Sequence, residues 1–252
     1  MPYLAQATCC VKLLDLTLPT PAENLACDEA LLDWCEAGGG DEVLRFWESH
    51  EPFVVVGYAN KVASEVNVAA CEAGEIPILR RCSGGGTVVQ GPGCLNYALI
   101  LRITEDGPTR NISAANQFIM ARNRAAIQSA VSHLPSAVQV SGHTDLSIDG
   151  RKVSGNAQRR RRTFLLFHGT FLLRFELKLI GTLLRMPSRQ PDYRAGREHE
   201  EFVANLNLTS DVVKAELRKV WSVDGGLSGM PRKATAGLVG RKYSRFEWNF
   251  KF

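Results

Sequence analysis

Apolar residues in this chain follow two spacings, and each spacing predicts one kind of element. Apolar positions at helical spacing predict three long helices, over residues 20–34, 113–131 and 210–221. The first helix has a full start signal, because Thr20 can cap it, Pro21 fits its first turn and Glu23 can complete a capping box. The glycine run at 38–40 ends this helix.

Short apolar runs between turn residues predict strands for much of the remaining chain. The predicted strands cover residues 43–47, 53–57, 76–80, 87–90, 95–103, 145–148, 152–154 and 164–175, with short helices at 68–73 and 177–184. Asp149-Gly150 is a strong signal for the two-residue turn of a hairpin. Strands dominate the middle and helices are interspersed, which predicts an α+β fold with a mixed or antiparallel sheet packed against helices.

No internal repeat and no shift of composition marks a second large domain. We therefore expect a single domain over residues 1–252, with a core at about 11–221. The tail from Ser222 is rich in glycine and basic residues, and it is too short to pack as an independent domain.

Composition narrows the class of protein. A hydrophobic content of 45% and a net charge of +4 are ordinary for a globular chain and too weakly basic to argue for nucleic acid. No apolar stretch approaches the roughly 20 residues of a membrane-spanning helix, and no export signal is visible. The seven cysteines are irregularly spaced and lie within the first 94 residues, which favours reduced thiols without metal-ligand spacing. We expect a cytoplasmic protein that binds neither nucleic acid nor a membrane.

The richest segment is a glycine loop, Arg80-Arg81-Cys82-Ser83-Gly84-Gly85-Gly86, followed by a β-branched strand. Glycine lacks a Cβ, so the loop can lay its backbone N–H groups against a ligand. Arginine can meet a carboxylate or a phosphate with two parallel hydrogen bonds. A tight turn between two strands is the plainer alternative.

A second group of candidates lies on the predicted hairpin and the strand after it. Lys152 follows the turn on a stiff strand, where it suits a carboxylate or phosphate, although most strand lysines are simply solvated. Gly155 permits the close approach of a ligand or another backbone. The run Arg159–Arg162 is typical of a solvated loop, with binding of an acidic protein or nucleic acid as the alternative. His168 interrupts an apolar strand, as a pocket-facing or a satisfied core histidine would.

Together these segments resemble the catalytic domain of the biotin/lipoate protein ligase family, in particular its lipoate–protein ligase branch. The resemblance lies in four motifs in order: residues 80–88 match the pattern RRxSGGGxV, Asn96 lies on the next strand, residues 145–155 match an Asp-Leu strand with Asp-Gly-Arg-Lys-Val-Ser-Gly, and residues 168–172 match His-Gly-Thr-Phe-Leu. It spans roughly residues 13–184 and reappears at 242–243 and 248–249. It implies the class II biotin/lipoate ligase fold.

The resemblance implies an ATP-dependent ligase. Such an enzyme joins lipoate, or a similar medium-chain acid, to a lysine of a lipoyl-domain protein through an acyl-adenylate, with Mg²⁺ accompanying the ATP. The acceptor would be of the 2-oxoacid dehydrogenase or glycine-cleavage H protein type. Because the tail is short, the resemblance also implies a separate accessory subunit, or the use of a preformed activated acyl group.

The same resemblance implies roles for individual residues. Lys152 would stabilise the carboxyl oxygen and α-phosphate, Asp145 would orient the acceptor lysine or help bind metal, and Arg81 would meet phosphate charge. Val88 and Leu99 would supply an apolar slot. The remaining residues implied to bind lipoate or its adenylate are Ser83, Gly84, Gly85, Gly86, Thr87, Val89, Gln90, Asn96, Gly155, Asn156, Ala157, His168, Gly169 and Thr170. No metal ligand set is implied.

Two other functions stay open at this point. An octanoyl- or lipoyl-transferase of the same fold would move the acyl group through a cysteine thioester, with the cysteine just before the lysine strand or downstream of it. This chain has no cysteine after Cys94 and offers only Ser141, His143 and Thr144 in that loop, which favours the ligase. A non-catalytic lipoyl-binding protein is the second alternative.

Overall fold

The computed structural model describes residues 11–133, 135–187 and 189–252. The strands of this part of the chain are β1 (Val11–Asp15), β2 (Glu42–Trp47), β3 (Phe53–Val56), β4 (Ile78–Arg80), β5 (Val88–Gln90), β6 (Cys94–Arg102), β7 (Gln139–Ser141), β8 (Asp145–Ile148), β9 (Arg151–Arg160), β10 (Phe164–Leu172) and β11 (Val223–Gly226). The helices are α1 (Pro21–Trp34), α2 (Val62–Glu65), α3 (Val68–Ala73), α4 (Ile112–Ala130), α5 (Lys178–Leu183), α6 (His199–Phe202), α7 (Ser210–Val220), α8 (Arg232–Leu238) and α9 (Phe246–Asn249).

Two sheets organise the fold. In the larger sheet the strands lie in the order β11-β1-β2-β6-β10-β9-β8-β7, and a smaller sheet has the order β4-β3-β5. In this larger sheet β1 is parallel to both of its neighbours, β11 and β2. All the other neighbouring pairs, in the order β2-β6-β10-β9-β8-β7, are antiparallel. The predicted α+β class with a mixed sheet is confirmed.

The two faces of the large sheet carry different layers because successive strand residues point to opposite sides. Leu44, Leu99 and Phe167 pack with α4 and α7 on one face. Val43, Ala98 and Leu166 pack with α1 on the other. The small sheet lies on the α1 side, where Phe53 and Val55 meet Trp47 and Leu25. The space between the two sheets is therefore closed by apolar side chains at its α1 end.

Helix α1 begins as its sequence predicts. The Thr20 hydroxyl accepts from Glu23 N at 3.2 Å, and the Glu23 carboxylate accepts from Thr20 N at 2.9 Å, which completes the capping box. This start places Asp28 and Glu29 on the buried side of the helix, where both are below a tenth exposed. Both carboxylates hold distant segments of the chain.

The segment after residue 221 folds onto the rest of the domain, and sequence reasoning did not foresee its strand and helices. Helix α8 packs on α1, while Lys242 Nζ and the Tyr243 hydroxyl both donate to Glu29, each at 2.7 Å from Oε2. Asn249 Oδ1 accepts from Arg80 N at 2.9 Å. The tail is thus one of the layers over α1 and β4.

The arginine run is mostly not a solvated loop, so that prediction was wrong. Arg159 and Arg160 belong to β9, which is longer than the predicted strand. Arg160 Nη2 donates to Thr109 O at 2.8 Å, and Arg161 pairs with Asp33 at 2.7 Å. Strand β9 continues into the arginine run because Arg159 and Arg160 pair with Leu166 and Leu165 of β10. These contacts hold the run against the rest of the fold.

Candidate active site

A cavity of about 580 Å³ lies between the large sheet and the small one. Lys152, Gly155 and His168 line it from the large sheet, and Gly85 and Gly86 line it from the glycine loop. Its volume is in the range of small-molecule sites. Lys152 and the glycine loop, both singled out from the sequence, therefore line one cavity in the structure.

Arg81 holds the glycine loop from behind. Its guanidinium donates to Gly84 O at 2.6 Å, to Gly86 O at 2.7 Å and, through Nε, to Ser83 Oγ at 3.1 Å. Burial lowers the pKa of this guanidinium to about 10, so it stays charged at neutral pH. Sequence reasoning expected Arg81 to meet an anionic ligand; its hydrogen bonds instead fix the carbonyls of the loop.

The loop carbonyls determine where the loop amides point. Gly84 O and Gly86 O face Arg81, and Gly85 O accepts from Asn60 Nδ2 at 3.1 Å. The described peptide bonds are trans, and in a planar trans peptide the C=O and the following N–H point in opposite directions. The N–H groups of Gly85, Gly86 and Thr87 consequently point away from these partners. Backbone donors that line a cavity are suited to developing negative charge on a ligand, and Gly85, Gly86 and Thr87 line this one.

His168 joins the glycine loop to helix α1. Its Nε2 lies 2.6 Å from Ser83 Oγ and its Nδ1 lies 3.3 Å from Asp28 Oδ2. Because Arg81 Nε can only donate to Ser83 Oγ, the serine proton is directed to Nε2 and Nδ1–H faces the carboxylate. Asp28 is also paired with Arg45 Nη1 at 2.5 Å, and both are almost fully buried. His168 lines the cavity and is satisfied at both ring nitrogens, so both sequence interpretations apply.

Lys152 belongs to a second charged group at the cavity. Its Nζ lies 2.9 Å from Asp145 Oδ1, and Asp145 Oδ2 accepts from the Tyr193 hydroxyl at 2.8 Å. Burial and the Asp145 charge raise the pKa of Tyr193 above its usual value, so the phenol remains a donor. The Lys152 side chain is one-quarter exposed and that of Asp145 is 14% exposed. An ammonium and a carboxylate therefore face the cavity as a pair.

A bulge in the hairpin brings Lys152 to the cavity. The pairing register shifts between Leu146 and Ser147, so one extra residue of β9 stands opposite β8. Residues three apart on a regular strand face opposite sides, yet Lys152 Nζ lies only 2.7 Å from where a Cβ on Gly155 would be. The bulge and the absent side chain at Gly155 together position the ammonium.

Four paired residues form the floor of the cavity across four strands. Trp47, Asn96, Thr170 and Gly155 are register partners from β2 to β9, a span of three strand spacings, or about 14 Å. Thr170 Oγ1 donates to Asn96 Oδ1 at 2.6 Å and accepts from Gln90 Nε2 at 2.9 Å. Apolar Leu25, Val55 and Val88 line the same end. This floor is long enough for a medium-chain acyl group.

Most of the residues singled out from the sequence line this one cavity. They are Arg81, Gly85, Gly86, Thr87, Val88, Val89, Gln90, Asn96, Asp145, Lys152, Gly155, Asn156, Ala157, His168, Gly169 and Thr170. Ser83 and Gly84 do not line it; they support the loop through Arg81 and His168. The prediction that Leu99 supplies the slot was wrong, because Leu99 lies on the α4 face of the sheet.

Sequence reasoning missed cavity residues outside the four motifs. Trp47 comes from β2, Ile180 from α5, Leu184 from the position after α5, and Phe202 from α6. These are apolar residues at positions where any core residue has the same pattern, so no motif distinguishes them. Sequence reasoning also missed Tyr193, in the 3₁₀ turn of Asp192–Arg194, which does not line the cavity but donates to Asp145.

The described cysteines stand away from this cavity. Cys27, Cys35, Cys71, Cys82 and Cys94 are buried, and none lines it. Burial raises the pKa of Cys82 and of Cys94 to about 12, which keeps them as thiols. The prediction of small buried side chains is confirmed for these five, while Cys9 and Cys10 lie outside the described residues.

Two absences hold for the residues that the structure describes. No group of three His, Cys, Asp or Glu side chains there could hold a metal ion. No helix there has both the length and the apolar character to cross a bilayer.

Comparison with known proteins gives consistent results at the level of family and fold. Residues 20–220 match the family model of the lipoyl protein ligase A/B catalytic domain. The octanoyltransferase LipM of Geobacillus kaustophilus (strain HTA426) is 28% identical over 95% of this chain and 98% of its own, and LipM of Bacillus subtilis (strain 168) is 26% identical over the same shares.

The solved structures agree on the fold. A chain from the structure of a bi-partite lipoate protein ligase and its E2 lipoyl domain from Thermoplasma acidophilum has a TM-score of 0.78 at 24% identity, covering 96% of both chains. Lipoate-protein ligase A bound with ATP also gives 0.78, at 23% identity over 96% of this chain and 98% of that one. At these identities the likeness establishes the architecture and not the reaction.

The expectation of an ATP-dependent ligase that works through an acyl-adenylate was wrong. The relatives that match nearly the whole chain are enzymes named for transfer of an octanoyl group. The expectation rested on the ordered motifs and on the missing downstream cysteine, and the names of these relatives overturn it.

Proposed function

We infer the function from the family to which this chain belongs, the lipoyl protein ligase A/B catalytic-domain family. We propose that the protein transfers a medium-chain acyl group, such as octanoyl, from a thioester donor to a lysine of a lipoyl-domain protein. The transfer does not use ATP. The acceptor is of the 2-oxoacid dehydrogenase or glycine-cleavage H protein type. The observation that carries this proposal is the cavity shared by the Lys152–Asp145 pair and the glycine loop.

The binding half of the function follows from the floor and walls of the cavity. The apolar end formed by Leu25, Val55 and Val88 would bury the acyl chain, which supplies the hydrophobic part of the affinity. The floor runs from Trp47 to Gly155. A chain lying along it would have its carbonyl end beside the Lys152 ammonium.

The chemical half follows from the groups at that carbonyl end. Attack of an amine on a thioester places negative charge on the carbonyl oxygen. The Lys152 ammonium and the amides of Gly85 and Gly86 are donors fixed in place before the reaction, so their stabilisation needs no reorganisation. Gly85 adjoins Ala157, two residues or about 6.6 Å along β9 from Gly155. The two sets of donors are therefore close enough to flank one carbonyl.

The test uses octanoyl-carrier-protein thioester and an apo lipoyl domain, with no nucleotide, and follows the mass of the acceptor. We expect the acceptor to gain one octanoyl group, and Lys152→Met to lower kcat by about 10²–10³. Lys178→Met, an exposed lysine at the start of α5, is the matched control and retains full activity.

Two results would overturn the proposal. One is acylation that requires ATP and free acid while the thioester is ignored. The other is binding of the lipoyl domain with no turnover by any variant, as the non-catalytic alternative requires.

A further inference from the structure

We propose that the acyl group passes directly from the thioester to the acceptor lysine within one complex, with Asp145 and Lys152 moving the protons and Tyr193 positioning Asp145. This inference rests on the proposed function. It adds that donor and acceptor are bound at the same time, that Asp145 and Lys152 move the protons, and that Tyr193, outside the cavity wall, positions Asp145. Transfer through an enzyme-bound thioester is the contrasting mechanism.

The groups that face the carbonyl end of the cavity favour direct transfer. Among the described residues, the cavity wall contains no thiol. Thr144, just before the lysine hairpin, donates its hydroxyl to Asn156 O at 2.9 Å. Ser141 bonds Ser147 at 2.6 Å and does not line the cavity. His143 also lines the wall, and the wall presents a proton acceptor and a proton donor in contact, Asp145 and Lys152.

The Asp145 carboxylate is held for a role in proton transfer. Each of its two oxygens has one partner: Lys152 Nζ at 2.9 Å and the Tyr193 hydroxyl at 2.8 Å. Tyr193 is itself packed against Phe202, with ring centroids 5.1 Å apart. A carboxylate with one partner at each oxygen is fixed in orientation and still has free acceptor sites, and Asp145 lines the cavity.

The reaction balances on these groups. The acceptor lysine enters as a neutral amine, having released one proton to solvent, and its nitrogen bonds the thioester carbon. The nitrogen then passes one proton to Asp145, while the carbon–sulfur bond breaks. The departing sulfur takes a proton from the Lys152 ammonium. Protonated Asp145 then returns its proton to neutral Lys152 across the 2.9 Å contact, which restores the starting pair and leaves an amide and a free carrier thiol.

The order of events is tested by kinetics on the full chain. With donor and acceptor both varied, initial rates should give intersecting double-reciprocal lines. Donor alone should release no stoichiometric burst of carrier thiol and leave no acyl adduct on the protein by intact mass. Cys9→Ala/Cys10→Ala should keep the wild-type rate. Parallel lines, a thiol burst or an acyl adduct would overturn direct transfer while leaving the proposed function intact, whereas absence of all transfer would remove the proposed function itself.

The role of Tyr193 is tested by separating kcat from KM. Tyr193→Phe should lower kcat by about tenfold and leave the KM for the acyl donor and the thermal midpoint unchanged, because the ring that packs on Phe202 is retained. Asp145→Asn should lower kcat by about 10²-fold or more. Tyr58→Phe is the matched control, because the Tyr58 hydroxyl accepts from exposed Lys251 Nζ at 3.1 Å. A Tyr193→Phe variant with wild-type kcat would refute the positioning role.

Discussion

Gly155→Ala should separate catalysis from stability more sharply than any other single change at this site. A Cβ built on Gly155 would lie 2.7 Å from both Cε and Nζ of Lys152, with Asp145 Oδ1 at 3.6 Å. Ordinary carbon–carbon contacts begin near 3.5 Å, so the ammonium must move by about 1 Å. The lysine side chain is flexible at its end, so the strand itself need not shift.

The expected effects on rate and stability have opposite signs. Displacement of a catalytic group by about 1 Å can cost about 10²-fold in rate, so we expect kcat to fall by that order. The backbone of Gly155 has an ordinary negative φ, and replacing a strand glycine by alanine then raises the free energy of unfolding by about 0.5–1 kcal/mol.

The assay pairs thioester-dependent acyl transfer with urea unfolding of the same preparations. Gly181→Ala is the control, because this exposed helical glycine has no atom within 4 Å of an added Cβ. It should be stabilised to a similar extent and keep full activity. If Gly155→Ala transferred acyl groups at the wild-type rate, the placement of the Lys152 ammonium would have no bearing on catalysis.

Three further predictions concern stability and thiol reactivity. Arg45→Met should lower the free energy of unfolding by about 3–5 kcal/mol in urea, because it leaves Asp28 buried without its ion pair; a loss under 1 kcal/mol would contradict this. Burial lowers the pKa of His199 below 6.5, so the unfolded chain binds the extra proton and stability should fall as pH drops below about 6.5. His199→Gln should flatten that dependence. In a Cys9→Ala/Cys10→Ala background, the native protein should resist a thiol reagent at pH 8 until urea unfolds it, and rapid native labelling would show that the five described thiols are accessible.

The local signals of the sequence predicted most of the elements and the two segments that meet at the site. The capping box at Thr20 and the Asp149-Gly150 turn depend on residues a few positions apart, so a single sequence contains them in full. Glycine and lysine motifs likewise identified Gly85 and Lys152, although not how each would be oriented.

The sequence could not predict which residues far apart along the chain come into contact. Strand alternation defines two faces of β6, but it does not say which one meets the cavity, and this is why Leu99 was assigned to the wrong side. Arg81 could bond a ligand or its own loop, and only the folded loop shows which carbonyls surround it. Tyr193 donates to Asp145, 48 residues earlier in the sequence, and no sequence motif predicts this contact.

The buried guanidinium of Arg80 links the C-terminal helix α9 to the segment that holds the glycine loop. Arg80 Nε and Nη2 donate to the backbone carbonyls of Trp248 and Asn249. Its Nη1 donates to the carbonyls of Gly57 and Asn60. Asn60 in turn holds the carbonyl of Gly85. A protease cut or a bound polypeptide that displaces α9 would therefore release Arg80, 169 residues before Asn249, and so loosen the glycine loop of the cavity.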